Sequence, residues 1–158
     1  MNPVLAALDG LGLPYDVIPI DPAHADTEAF CRIYGYPPEK SGNTIIVASK
    51  KEPKQYAACV VLADSRLDVN QKVRSLMGVS RASFATAGEM MSLTGMEVGG
   101  VTPFALPAGV PLYIDARILE LDWIVLGGGG RDLKVKVSPE VFRKLGARAV
   151  PDLGLPRS

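Results

Sequence analysis

The chain has 158 residues, 47% of them hydrophobic and 22% charged, which is long enough to bury a core and too apolar for general disorder. Its 17 lysines and arginines balance 17 aspartates and glutamates, which argues against a histone-like protein that grips duplex DNA along its length. With 16 glycines and 13 prolines, the chain reads as many short elements joined by turns, not as a helical bundle.

In chain order, Val4, Leu5, Leu8 and Leu11 recur at helical spacing, and Gly10 and Gly12 mark the helix end. Residues 15 to 20 read as an edge strand, because the run contains Pro19. Thr27 is expected to N-cap a helix carrying Phe30, Cys31, Ile33 and Tyr34 and stopping at Gly35. The apolar runs 44 to 48 and 56 to 63 predict a β-hairpin whose tip carries Lys50, Lys51 and Lys54. Asp68 is placed to cap a helix through Val69, Val73 and Leu76 that ends at Gly78. A short strand at 82 to 85 leads into Thr86-Ala87-Gly88-Glu89, a capping-box pattern, and a helix ending near Gly95. After a loop rich in glycine and proline, strands are expected at 112 to 115 and 123 to 126. Residues 133 to 137 alternate as a strand with one wet face, and Ser138-Pro139 opens a last helix. The expectation is one α+β domain with a mixed or antiparallel sheet over residues 1–150, followed by a frayed tail at 151–158.

Several kinds of chemistry are poorly served by this chain. Cys31 and Cys59 lie in apolar patterns without a C-x-x-C motif and read as buried thiols. His24 is the single histidine: with two distant cysteines it makes no believable zinc set, and a Ser-His-Asp triad built on it would lack a Gly-x-Ser-x-Gly elbow, so neither chemistry is expected, nor any metal or cofactor. No run approaches a membrane span, and the N-terminus lacks a basic n-region, so the expected compartment is the cytoplasm. Asp64, Asp68, Asp115 and Asp122 could serve acid–base work, with capping and surface charge as the plainer roles.

Three places could hold chemistry. Gly99-Gly100-Val101-Thr102-Pro103 could aim backbone N–H groups at an anion or carbonyl, or be a structural turn. Gly127 to Gly130 has neither P-loop nor dinucleotide spacing, and reads as a wide bend or as room for a substrate. Asn43-Thr44 precedes an apolar strand and offers either an Asx-turn or a hydrogen-bonding group at a pocket mouth.

Taken together, Asn-Thr-Ile-Ile-Val at 43 to 47, Arg66-Leu67-Asp68, Thr94-Gly95-Met96 through Pro103, and Tyr113-Ile114-Asp115 resemble the YbaK-type aminoacyl-tRNA deacylases. These are relatives of the editing domain of bacterial prolyl-tRNA synthetases. The resemblance runs in order from about residue 2 to residue 145, with the Gly-Gly-x-Thr-Pro loop as its most specific part. It implies a mixed, largely antiparallel, barrel-like sheet flanked by helices, with a pocket that takes the aminoacyl group and the terminal adenosine of a tRNA. It implies catalytic roles for Asn43, Gly100 and Thr102, and substrate contacts from Thr44, Gly99, Val101, Pro103, Gly127, Gly128 and Lys134. Family members of understood activity carry a lysine where Asn43 stands, and an acidic residue is expected where Lys134 stands. On that resemblance, the positive charge is expected to have moved across the pocket rather than vanished.

The implied function is a free-standing editing hydrolase that cleaves the ester of a mischarged tRNA in trans. The alternative is a non-catalytic module that binds an aminoacyl-nucleotide, an aminoacyl-tRNA or a synthetase partner. The tRNA would be held weakly and salt-sensitively at its acceptor end, through Lys50, Lys51, Lys54 and Arg131, without DNA or membrane as partner.

Overall fold

The computed structural model describes residues 2–157. Helix α1 (Pro3–Leu11) starts at Asn2, whose side-chain oxygen accepts the Val4 N–H at 2.7 Å, and it ends at a left-handed Gly12. Strand β1 (Tyr15–Pro19) follows, then α2 (Thr27–Tyr34), β2 (Gly42–Ser49) and β3 (Tyr56–Leu62). The next elements are β4 (Ser65–Leu67), a π-helical turn over Val69–Val73, α3 (Arg74–Met77), β5 (Ala82–Phe84) and α4 (Ala87–Thr94). The chain closes with β6 (Leu112–Asp115), β7 (Ile124–Gly127), β8 (Leu133–Val137), α5 (Glu140–Lys144), β9 (Arg148–Val150) and β10 (Gly154–Pro156).

The hairpin expected from the two apolar runs is β2–β3, and it forms the centre of a five-stranded mixed sheet ordered β5-β2-β3-β6-β9. A second sheet, β1-β8-β7, is antiparallel with β1 at its edge. The two sheets meet at a bridge between Ser41 and Val125 and curl together without closing into a barrel. Gly42 belongs to this seam, since a Cβ there would lie 2.7 Å from Leu126. A core of Val4, Leu8, Phe104, Leu126 and Phe142 fills the space between α1, α5 and the strands.

Four details differ from expectation. The N-cap of α2 is Asp26, not Thr27, which frees the Thr27 hydroxyl to reach across to β2. The single helix expected after Asp68 is a π-turn followed by the one-turn α3, with Asp68 accepting the Gln71 N–H at 3.2 Å. Strand β9 pairs in parallel with β6 where no strand was expected. The tail is not frayed: β10 pairs with β4, and Leu153 is fully buried. It is tied down by Asp115, a buried carboxylate that accepts from Gly154 N–H at 3.0 Å and lies 3.3 Å from Arg117. The other aspartates weighed for acid–base work are also structural. Asp122 is paired with Lys40 at 2.6 Å, which holds its carboxyl below the usual range, and Asp64 accepts from Ser65. Cys31 and Cys59 are free and buried, and burial pushes the Cys59 thiol up to about 12.

Candidate active site

A pocket of about 500 Å³ lies over the seam where β2 and β7 meet. Its walls are the start of β2 (Asn43, Thr44), the end of β7 (Gly127), Lys134 of β8, the N-terminal end of α2 and the 98–101 loop. An apolar side is added by Phe84 and by Met90 of α4. Helix α4 is fixed there by the expected capping box, in which Thr86 and Glu89 exchange hydrogen bonds at 3.1 Å each.

Asn43 is oriented by a partner 16 residues earlier in the chain: the Thr27 hydroxyl donates to Asn43 Oδ1. That leaves Asn43 Nδ2 with no hydrogen-bond acceptor among the described residues, at the edge of the pocket. The same bridge separates this pocket from a second one, of about 590 Å³, lined by Cys31, Arg32 and Arg157.

The 97–100 segment is a tight turn in which Gly100 N–H donates to Glu97 O at 2.9 Å and Gly99 adopts φ +86°, the geometry of a type II turn. A side chain at Gly99 would be strained by that φ and would run into Arg131. Val98 O accepts from Arg131 at 2.7 Å. The peptide is trans, so the Gly99 N–H points the opposite way, off the guanidinium. Neither Gly99 N–H nor Val101 N–H has a partner among the described residues, and both residues line the pocket.

The two glycine clusters pack against each other. Gly129 N–H donates to Gly100 O at 2.7 Å and Glu97 N–H to Gly129 O at 3.0 Å. A Cβ at Gly100 would lie 2.7 Å from Gly130 N, and one at Gly127 would lie 2.8 Å from Gly100 O. Both readings of these glycines therefore apply: the clusters are a structural joint, and the outer members of that joint, Gly99 and Gly127, form pocket wall.

Lys134 is 4% exposed, although its strand alternates as if both lysines faced water. Its ammonium donates to Gly99 O at 3.3 Å and sits 5.3 Å from the centre of the Phe30 ring. Burial pulls its pKa down to about 8. Among the described residues no carboxylate lies within ion-pair distance of it.

Other residues expected at the site lie elsewhere. Thr102 is fully buried and does not line the pocket, its hydroxyl has no partner among the described residues, and Pro103 is buried next to it in the chain. Gly100 has its N–H committed to Glu97 O, and Gly128 packs on Leu133. Arg131 is a latch, not an open cation: it donates to Pro22 O at 2.9 Å and to Val98 O, and pairs with Asp26 at 3.3 Å. Lys54 pairs with Glu89 at 3.6 Å, while Lys50 and Lys51 stay exposed at the hairpin tip. Sequence reasoning missed Thr27, Asp26, Glu28 and Phe84, all of which line the pocket. Only the exposed aromatic at position 84, between a strand and a cap, carried a readable signal.

The α+β domain thus places a pocket over a sheet seam, with main-chain N–H groups that have no partner among the described residues in its wall. The chain belongs to the aminoacyl-tRNA editing domain family, whose model matches residues 21–145. It is similar to the uncharacterized protein YwhH of Bacillus subtilis (strain 168), 28% identical over 89 residues. That match covers 56% of this chain and 55% of the relative's length. Its fold is similar to the crystal structure of hypothetical protein APE2540 (TM-score 0.83, 27% identity, 94% of this chain and 97% of that one). It is also similar to that of a candidate trans-editing enzyme for prolyl-tRNA synthetase (TM-score 0.81, 22% identity, 98% and 95%). No helix among the described residues is long and apolar enough to cross a membrane.

Proposed function

We propose that the chain is an editing hydrolase that cleaves, in trans, the ester joining a wrong amino acid to the terminal ribose of a tRNA. One observation carries the reading: three donors without a partner among the described residues, Gly99 N–H, Val101 N–H and Asn43 Nδ2, ring one pocket at the seam of the sheets. An ester is already activated, so holding it and stabilising the oxyanion supply much of the catalysis. Water attacks the carbonyl carbon, the carbonyl oxygen takes the negative charge among these donors, and the C–O bond to the ribose breaks. The water's proton leaves with the ribose hydroxyl. Phe84, 61% exposed at the rim, offers a face on which the terminal adenine can stack. Of the four cations expected to meet the tRNA backbone, Lys50 and Lys51 at the hairpin tip are exposed.

The test is loss of labelled amino acid from a panel of mischarged tRNAs. Turnover of at least one pair is expected, and saturable binding without turnover of any pair would favour a binding module instead. Asn43→Ala removes one oxyanion donor and is expected to lower kcat by about 10²-fold with the fold intact. An unchanged rate would take Asn43 out of the site. Thr102→Val, by contrast, removes a buried hydroxyl that has no partner among the described residues. Stability is expected to rise by about 1 kcal/mol in urea titrations, with deacylation unchanged. A rate loss of tenfold would return Thr102 to the chemistry.

A further inference from the structure

We infer that the pocket selects aminoacyl esters whose side chain carries a carboxylate, and that Lys134 is the residue that recognises it. The inference rests on the editing reading above and names its substrate class.

Lysine is almost never fully buried unless it is paired. An ammonium carries three N–H donors, and Lys134 gives one of them to a neutral carbonyl, Gly99 O at 3.3 Å. The other two have no acceptor among the described residues, and the side chain forms pocket wall. Across the β7–β8 ladder its partner is Gly127, so no side chain at that ladder position covers it. One pocket carboxylate, Asp26, is itself engaged by Arg131, and its side chain is 70% exposed at the mouth. The site thus has a cation at its floor and carboxylates, Asp26 and Glu28, at its rim.

That polarity orders the substrate. The ester and ribose must lead back out to the rest of the tRNA, so only the α-ammonium and the side chain are free ends that can reach the floor. A floor cation repels the α-ammonium, which is drawn to Asp26 and Glu28 instead. The side chain remains, and a carboxylate makes a charge-assisted hydrogen bond with Lys134 that an amide or methyl group does not match. The low proton affinity of buried Lys134 agrees with a cation that lacks its counter-charge until ligand arrives.

The experiment compares non-hydrolysable 3′-aminoacylamido-3′-deoxyadenosines, without a 5′-phosphate, that bear aspartyl, asparaginyl or alanyl groups. Binding to the wild-type protein is expected to be at least tenfold tighter for aspartyl than for its isostere asparaginyl. Lys134→Met should abolish that ratio, with aspartyl affinity falling at least tenfold more than alanyl affinity, a difference that a merely structural role for the lysine would not produce. Equal affinities in the wild type would overturn the inference and leave the editing reading standing. A gain that instead follows addition of a 5′-phosphate, whatever the side chain, would also overturn it by assigning Lys134 to the tRNA backbone. Deacylation rates that fall equally for aspartyl and alanyl esters in Lys134→Met would do the same, by making the lysine an oxyanion donor. If no analogue binds at all, the editing reading itself has failed.

Discussion

Gly100→Ala is expected to destabilise the protein by about 3 kcal/mol, lowering Tm by roughly 6–12 °C, and to abolish deacylation. The added methyl would stand 2.7 Å from Gly130 N and 2.8 Å from the Gly129 carbonyl carbon. Backbone, unlike the end of a long side chain, cannot swing aside. Separating the two loops breaks the Gly129 N–H bond to Gly100 O and moves the turn that presents Gly99 N–H to the pocket. Gly10→Ala is the internal control: it lies inside α1 with open space around its Cα, and alanine there should stabilise by about 0.5–1 kcal/mol. Thermal melts of the pair check the claim. If both variants melt alike, the glycine joint is not the tight packing described here.

The second large effect has the opposite sign. Lys134→Met should stabilise the protein at neutral pH by about 3 kcal/mol, because it replaces a buried, uncompensated ammonium with an apolar chain of similar length. The figure follows from the drop in pKa from 10.5 to about 8 on folding. Below pH 8 both folded and unfolded states carry the charge, and the folded state bears its full burial cost. Between about 8 and 10.5 the folded chain has released the proton and the unfolded chain has not, so wild-type stability rises with pH across that window. Burial is the largest influence on Lys134; Cys31 and Asp26 oppose it, and Arg131 acts in the same direction as burial. Denaturant titrations from pH 7 to 10.5 should show the variant's advantage shrinking towards zero. A constant advantage would mean that it comes from packing and not from charge. A stabilising substitution that removes ligand discrimination is the usual signature of a residue kept for binding.

Elements with long or chemically marked patterns were legible in the sequence. The β2–β3 hairpin follows from two apolar runs around a basic tip, and α4 follows from Thr86 and Glu89 at capping-box spacing. Strands β4, β9 and β10 each span three residues, too few for a period to show, and they are held by partners remote in sequence. The β8 alternation placed the strand and misjudged one lysine. Lys136 stays half-exposed beside Trp123, 4.6 Å from the ring, whereas Lys134 is covered by Phe30 and the Gly99 turn. At the site, Asn43, Thr44, Gly99, Val101, Gly127 and Lys134 could be picked out because glycine clusters and the family resemblance marked their neighbourhoods. The Thr27–Asn43 bridge and the Arg131 latch could not, since each depends on residues that only the fold brings together.

A crystal structure with a non-hydrolysable aminoacyl-adenosine analogue tests the account most directly. The predicted result is an acyl carbonyl oxygen within hydrogen-bond distance of Gly99 N–H, Val101 N–H or Asn43 Nδ2, with the aminoacyl side chain towards Lys134. An analogue seated in the neighbouring pocket by Arg32 and Arg157, with the seam pocket empty, would contradict it.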